Sequence, residues 1–283
     1  MQLTCPQAEF LRLPHKFRAF VSGFGGGKTY VGATALCVHA WEHPKVNQGW
    51  FAPTYQMLRD IAYPTIEEAA FAMGLKVKIH ASNKEVHFYE GRKYRGTTIC
   101  RSLNHPETII GFKIGNAVMD ELDTLPIDKA QASWNKVIAR MRYKLPNLRN
   151  GISVTTTPEG FRFVYRQFVQ EARKNKALKE LYGLVQASTY DNEIHLPDDY
   201  IQSLVETYPS QLIEAYLLGK FVNLTSGSVY REFDRRLNHS DESINTKDKE
   251  PLHIGMDFNV TRMAAIVHVL RAQLPIAVEE KTK

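Results

Sequence analysis

The chain has little of several features that define large classes of protein. Its 283 residues include only three cysteines, Cys5, Cys37 and Cys100, with no CxxC pair, so we expect neither a disulfide framework nor a zinc site. No apolar run approaches the ~18–20 residues that cross a membrane, and the first residues lack the basic and apolar regions of a signal peptide. We therefore expect a soluble protein in a reducing cytoplasm, with no membrane partner.

The net charge is also small. Thirty-six Lys and Arg against 30 Asp and Glu leave +6 and a pI near 9.1. Such a surplus permits a polyanionic partner but does not identify one. A hydrophobic fraction of 43% excludes a disordered chain, and the length suits one large domain or two small ones.

Short apolar strands alternate with helical segments through most of the chain. Strands are expected near 18–22, 49–54, 116–121, 151–157 and 183–188. Helices are expected near 30–41, 55–73 (broken or restarted at Pro64), 126–143 and 161–178, with one or two more within 196–218. This alternation predicts βαβ units and an α/β fold with a mainly parallel sheet flanked by helices. Residues 76–101 predict a small antiparallel meander, with turn signals at Glu90-Gly91 and Arg95-Gly96.

One glycine-rich loop lies between a predicted strand and a predicted helix. It fits the phosphate-loop pattern GxxxxGK[ST], except that Ser22 stands where the first glycine belongs. Glycines allow a positive φ and turn successive N–H groups toward phosphate oxygens. The loop is therefore predicted to bind ATP, with Lys28 on the β- and γ-phosphates and Thr29 on Mg²⁺. The predicted nucleotide-binding residues are Ser22, Gly23, Phe24, Gly25, Gly26, Gly27, Lys28 and Thr29. The alternative is a glycine-rich turn with an incidental lysine.

A pair of acids ends the buried strand predicted over 116–121. Asp120 would hold Mg²⁺ through water, and Glu121 would polarise the attacking water as the catalytic residue alongside Lys28. Taken alone, such a pair is more often a solvated strand end. A glutamate next to the metal aspartate is typical of ATPases with an additional strand between the two motifs, most of which are motors.

Two further features are weaker candidates. Thr155, Thr156 and Thr157 end the next strand, where a hydroxyl would sense the γ-phosphate, and we assign that coupling role to Thr156 and Thr157. Threonine is also an ordinary strand former, so the pattern has a purely structural alternative. Gln7, upstream of the loop, is a candidate for reading the adenine edge.

The composition changes after residue 224, and residues 239–250 are nearly all polar. We predict an ATPase domain over 1–225, a linker over 226–250 and the start of a second domain over 251–283. Within the last of these, 253–259 and 263–270 are expected to form a hairpin.

Taken together, the motifs resemble those of the large terminase subunit of tailed bacteriophages. Besides the residues above, the matching elements are Pro6-Gln7, 51–59, 110–112 leading into 119–122, 154–161, 188–192, 216–222 and 227–233. The resemblance covers essentially the whole chain. Its Ala-Pro-Thr and Ser-Thr-Tyr-Asp-Asn elements are more specific than the phosphate loop.

The resemblance implies a P-loop NTPase of the additional-strand, catalytic-glutamate type. Such a motor uses ATP and Mg²⁺ to translocate double-stranded DNA into the procapsid, in the cytoplasm of the bacterial host. The implied partners are double-stranded DNA, the phage portal and procapsid, the small terminase subunit and further copies of the chain in a pentamer-like ring.

The resemblance also implies a C-terminal nuclease with a ribonuclease-H-like fold. Its divalent metal ions would be held by acids on neighbouring strands, and Asp257 matches the first metal-binding aspartate. Glu279 and Glu280 are poor substitutes for the remaining acids. We therefore expect an incomplete, truncated nuclease half that does not cut by itself.

One departure from the family pattern concerns arginine. Many terminases carry an arginine inside the phosphate loop, where this chain has Phe24, so an arginine acting on the γ-phosphate must come from elsewhere. The candidates are Arg59, Arg101, Arg140 and Arg142, and the basic stretches at 138–149 and 162–179 are candidate DNA surfaces or simply solvated faces. Two alternatives stay open: a helicase-like translocase, although a second ATPase-like half is missing, and a prophage remnant that binds nucleotide or DNA without motor activity.

Overall fold

The alternating apolar segments form one sheet of eight strands. A computed structural model describes residues 2–174, 176–224, 245–247, 249–258, 263–271 and 274–282, and the chain divides into two compact units, 1–226 and 227–283. The strands of the first unit are β1 (Phe17–Ser22), β2 (Gln48–Ala52), β3 (Lys76–His80), β4 (Glu85–Glu90), β5 (Lys93–Ser102), β6 (Asn116–Asp120), β7 (Gly151–Thr156) and β8 (Tyr182–Ala187). Their order in the sheet is β3-β4-β5-β2-β6-β7-β1-β8.

Most neighbouring strands of this sheet are parallel. The six strands β5-β2-β6-β7-β1-β8, in this order across the sheet, are all paired in parallel. The antiparallel pairs β3–β4 and β4–β5 extend the sheet at one edge. The predicted parallel sheet with an antiparallel meander is thus confirmed. Strand β7 lies between β6, which ends in the acidic pair, and β1, which leads into the glycine-rich loop. It is the additional strand expected between these two motifs.

Helices cover both faces of the sheet. They are α1 (Cys5–Arg12), α2 (Lys28–Glu42), α3 (Tyr55–Met57), α4 (Tyr63–Ala72), α5 (Ile127–Ile138), α6 (Lys176–Leu181), α7 (Tyr200–Thr207) and α8 (Ser210–Tyr216). Alternate residues of β6 point to opposite faces: Val118 packs with α2 and α4, whereas Ala117 and Met119 pack with α5. Because both faces are buried, the central strands are mainly apolar.

Three predicted helices differ from the structure. The helix expected over 126–143 ends at Ile138, and the chain from there to 150 is irregular apart from one bridge, Ile114 to Met141. The helix expected over 161–178 is divided into a π-helical turn at Tyr165–Gln170, a 3₁₀ turn at Glu171–Arg173 and α6. Over 55–73, a π-helical turn at Leu58–Ala62 precedes α4, which places Pro64 in the first turn of α4.

The turn expected at Arg95-Gly96 is wrong, because both residues lie inside β5. The Arg95 side chain is buried at the end of α2. Its Nε donates to Ala40 O at 3.0 Å and its Nη2 donates to Trp41 O, while Nη1 lies 3.4 Å from a Glu90 carboxylate oxygen. A cation in contact with the last carbonyls of a helix satisfies groups that have no partner within the helix.

The second unit is a three-stranded antiparallel sheet. Its strands are β9 (His253–Phe258), β10 (Met263–Arg271) and β11 (Leu274–Thr282), in the order β11-β10-β9. The hairpin predicted at this position is therefore present. In the part of the chain that the structure describes, every helix is too short or too polar to cross a membrane.

Replacing Arg95 with Met should destabilise the first unit by about 2–3 kcal/mol, because two helix-end carbonyls lose a charged donor in a buried place. Urea unfolding, followed by the helical circular dichroism signal, measures the change. Arg92→Met, at an exposed position in the β4–β5 turn, is the matched control and should leave the midpoint unchanged. Equal midpoints for both variants would contradict the role given to Arg95.

Candidate functional site

The glycine-rich loop connects β1 to α2 at the carboxyl edge of the parallel strands. Gly25 and Gly27 have φ of 70° and 73°, values that side chains rarely allow. A Cβ at Gly27 would collide with Gln7 Nε2, and one at Gly26 would collide with Ser22 Oγ. The loop conformation therefore depends on glycine for both backbone angles and space.

Lys28 begins α2 and is almost buried, with 7% of its side chain exposed. Its Nζ donates to Gly23 O at 2.9 Å and lies 3.8 Å from Glu121 Oε1. The same Nζ is 5.9 Å from the centroid of the Phe24 ring. The ammonium group thus lies between the loop and the acidic strand end.

Asp120 ends β6 and is 3% exposed. Its two carboxylate oxygens accept hydrogen bonds from Thr29 Oγ1 at 3.2 Å and from Thr155 Oγ1 at 2.7 Å. Burial, and next the neighbouring Glu121 charge, raise the pKa of Asp120, whereas the bond from Thr155 and the charge of Lys28 oppose this shift. The charged form of this carboxyl group is incompletely compensated by the protein, so a cation beside it would be stabilised.

Glu121 has a left-handed backbone, with φ of 49°. Its carboxylate accepts from the Thr157 backbone N–H at 3.0 Å and from Thr157 Oγ1 at 3.3 Å. Since β6 and β7 are neighbours, their ends bring these residues together. Two donors from one residue hold the Glu121 side chain beside Lys28.

The three threonines at the end of β7 have different partners. Thr155 contacts Asp120 and Thr157 contacts Glu121, while Thr156 Oγ1 accepts from the Asp123 backbone N–H at 3.1 Å. The three threonines therefore form hydrogen bonds with Asp120, Glu121 and Asp123, the three acids at the end of β6 and just after it. The γ-phosphate sensor role of Thr156 and Thr157 stays a prediction.

One family model matches most of the chain. The model of the family "Terminase large subunit, T4likevirus-type, N-terminal" matches residues 19–237. The chain belongs to this family. A comparison with curated proteins finds no match.

Solved terminases resemble this terminase-family chain in fold. The large terminase of a thermophilic bacteriophage has a TM-score of 0.67 at 15% identity, over 100% of this chain and 69% of that one. The complex of the same phage terminase with ADP has a TM-score of 0.66 at 16% identity, over 100% and 68%. The large terminase ATPase domain of Thermus phage P74-26 has a TM-score of 0.58 at 15% identity, over 78% and 94%. At these identities the likeness shows the fold.

Gln7 contacts the phosphate loop itself. The side chain is buried on α1, where Nε2 donates to Gly27 O at 3.2 Å and Oε1 accepts from the Thr4 N–H at 3.0 Å. The structure therefore shows Gln7 as a link between α1 and the loop. Its contact with an adenine edge stays a prediction.

The loop is also held by residues that sequence reasoning missed. Thr189 Oγ1 donates to Phe24 O at 2.7 Å, Asn192 Nδ2 donates to Gly25 O at 2.7 Å, and the Phe24 N–H donates to Tyr216 O at 2.6 Å. Thr189, Asn192 and Tyr216 lie in the segments 188–192 and 216–222, whose resemblance to the family was the one sign in the sequence that they matter. The sequence contains no indication that they contact the loop.

Phe24 stacks on the Tyr216 ring, with the ring centroids 4.6 Å apart. Of the arginines considered for the γ-phosphate, Arg59 pairs with its neighbour Asp60 at 2.6 Å and Arg142 donates to Phe112 O at 3.4 Å. Arg140 Nε is buried with no hydrogen-bond partner among the described residues. Arg101 lines a surface cavity.

The predicted nuclease metal site stays a prediction. Asp257 is on β9 opposite Ala264, and its side chain lies outside the described part of the structure, as does that of Glu280. Within the described residues, no group of three or more His, Cys, Asp or Glu side chains is placed to hold a metal ion.

Replacing Asn192 with Ala should weaken binding of a non-hydrolysable ATP analogue about 5- to 30-fold, because loss of one buried hydrogen bond to the loop costs about 1–2 kcal/mol. Titration calorimetry measures the affinity. The matched control is Asn135→Ala, which removes an exposed asparagine from α5 and should leave the affinity unchanged. Equal affinities in the two variants would show that the loop does not need this contact.

Proposed function

We propose that this terminase-family chain is the ATP-hydrolysing motor subunit that moves double-stranded DNA into a phage procapsid. The observation that carries the proposal is the arrangement of Glu121: its carboxylate is held by Thr157 and lies 3.8 Å from Lys28 Nζ, next to the Asp120–Thr29 pair. Hydrolysis of a bound nucleoside triphosphate uses a lysine on the phosphates, a hydroxyl and an aspartate on Mg²⁺, and a group that orients or deprotonates the attacking water.

Nucleotide binding is assigned to the loop from Ser22 to Thr29. The start of α2 favours an anion, and Lys28 would move its Nζ from Gly23 O to the β- and γ-phosphate oxygens. Asn192, Thr189 and Gln7 keep the loop carbonyls engaged. The carbonyls of Phe24, Gly25 and Gly27 are therefore occupied by protein donors rather than left beside the phosphates.

The residues present fit magnesium. Thr29 Oγ1 and Asp120 Oδ2, which are 3.2 Å apart, are oxygen ligands of the kind that Mg²⁺ prefers. Burial raises the pKa of Asp120 because it removes the water that would stabilise the carboxylate, and a bound cation would stabilise it instead. Thr29 would hold the ion directly and Asp120 through water. When bound, Mg²⁺ neutralises charge on the β- and γ-phosphate oxygens.

Glu121 acts as the general base. Thr157 fixes its orientation through two hydrogen bonds, and the carboxylate, lying beside the Lys28 ammonium, accepts a proton from the attacking water. Because Thr156 and Thr157 extend from β7, loss of the γ-phosphate would be transmitted along that strand. We assign the two threonines this coupling role.

The remaining assignments follow from membership of the family. The proposed partners are double-stranded DNA, the portal and procapsid, the small terminase subunit and a pentamer-like ring of further copies, in the cytoplasm of the bacterial host. Residues 1–225 are proposed as the ATPase domain, 226–250 as a linker and 251–283 as ribonuclease-H-like nuclease strands, with Asp257 as a divalent-metal ligand. A basic stretch such as 138–149 or 162–179 is a candidate DNA surface.

Glu121→Gln should lower the rate of Mg²⁺-dependent ATP hydrolysis at least ~100-fold, because the amide cannot take a proton from water. Phosphate release measures the rate, and nucleotide affinity should change by less than about threefold. Glu206→Gln, an exposed glutamate on α7, is the control and should hydrolyse normally. Normal hydrolysis by Glu121→Gln would disprove its role as the base.

Lys28→Ala should weaken ATP binding by at least about tenfold, since a charged donor to the phosphates is lost. A filter-binding assay with labelled ATP measures this, and Lys136→Ala on the exposed face of α5 is the control. Unchanged ATP affinity in Lys28→Ala would favour the alternative of a prophage remnant without motor activity.

A further inference from the structure

A second candidate site opens on the edge of the sheet that carries the glycine-rich loop. It is a cavity of about 230 Å³ lined by Thr54 and Tyr55 after β2, Lys84 before β4, Arg101 and Ser102 at the end of β5, and Asn104, His105 and Thr108 beyond that strand. Since β5 and β2 run parallel to β6, β7 and β1, all their carboxyl ends lie on one edge. Strands β2, β6 and β7 separate β5 from β1.

The lining of this cavity carries positive charge and no carboxylate. Lys84 and Arg101 supply the charge, and His105 stands beside them. Glu107, close by in sequence, is engaged with the His105 ring at 3.1 Å, and Glu85 is engaged with His87 at 3.0 Å. A concave site with two cations and no acid in its lining favours an anion.

Neither cation has an acidic partner in the described part of the chain. Arg101 Nη1 donates to Cys100 O at 2.7 Å, and its guanidinium is 5.7 Å from the Phe112 ring. Lys84 Nζ is 5.2 Å from the Tyr55 ring. By contrast, Arg95, on the same strand as Arg101, is paired with Glu90 at 3.4 Å. Arg101 and Lys84 thus retain donors for a ligand.

The walls of the cavity are held in place by hydrogen bonds. Ser102 Oγ donates to Pro53 O at 2.7 Å, Tyr55 OH donates to Ala81 O at 3.1 Å, and the Cys100 N–H donates to Lys84 O at 2.8 Å. The last bond places Lys84 beside the end of β5, one residue from Arg101. The two cations are therefore brought to one cavity by strand ends and a turn that are fixed to each other.

We propose that this cavity binds a phosphate group of the DNA backbone. The inference rests on the proposed function, because it names a contact of the DNA that the motor would move. A phosphodiester carries one negative charge on two exposed oxygens, which suits two cations. A bound nucleoside triphosphate would bring Mg²⁺, for which the proposed ATP site offers the carboxylate of Asp120. The lining of this cavity has no carboxylate that could do the same. Contact through the backbone is independent of sequence, as transport of any DNA requires.

The test is duplex binding by the full chain across a salt series. Fluorescence anisotropy with two labelled duplexes of unrelated sequence gives the slope of log K against log salt concentration. Arg101→Gln and Lys84→Asn should each reduce the slope by about 1, equally on both duplexes. Asparagine is chosen because Lys84 has a left-handed backbone, with φ of 57°, which asparagine tolerates.

Two matched variants complete the design. Arg101→Lys keeps the charge and should retain the slope, which separates lost charge from lost folding. Lys93→Gln removes a cation from the exposed start of β5, where it lies 4.0 Å from a Glu90 carboxylate oxygen, and should also retain the slope.

An unchanged slope in Arg101→Gln and Lys84→Asn would overturn the inference and leave the proposed motor function standing. A loss of ATP hydrolysis with an unchanged slope would assign the cavity to a nucleotide phosphate and overturn the inference as well. If the unaltered chain did not bind either duplex, the DNA part of the proposed function would fail, and this inference with it.

Discussion

Burial of the Asp120 carboxylate is the constraint on which the rest of the site depends. A charged group at the end of a central strand loses its hydration, which destabilises the charged form unless protein groups replace the water. Here the replacement comes from two hydroxyl groups, one at the start of α2 and one at the end of β7. Three separate segments must therefore meet at one point, and the order β6-β7-β1 makes that meeting possible.

The same constraint explains why Glu121 is oriented from outside its own strand. It follows Asp120 and leaves the strand through a left-handed backbone, so its neighbours along the chain do not hold it. Thr157 does so from β7, with a backbone and a side-chain donor. Glu121, Asp120 and strand β7 form one hydrogen-bonded unit, in which movement of β7 would displace both carboxylates.

Local sequence was sufficient where the relevant interactions are local. The glycines with positive φ, the strand–loop–helix order and the acidic pair were all predictable, because each depends on neighbouring residues. The helix expected over 161–178 and the turn at Arg95-Gly96 failed for tertiary reasons. The Arg95 side chain donates to a carbonyl at the end of α2, which favours a strand over a turn at this position. In the segment 161–173, Phe163 and Phe168 pack against the sheet, and this packing competes with a regular helix.

The sequence by itself determined the fold class and the strand–loop–helix order around the glycine-rich loop, because alternating apolar segments and a glycine run before Lys-Thr are properties of consecutive residues. Only the tertiary structure decided which residues hold that loop and which form the basic cavity. Asn192 reaches Gly25 across 167 positions of the chain, and Arg101 and Lys84 line one cavity from different strand ends. Contacts between segments so far apart arise from strand order and register, which no local pattern records.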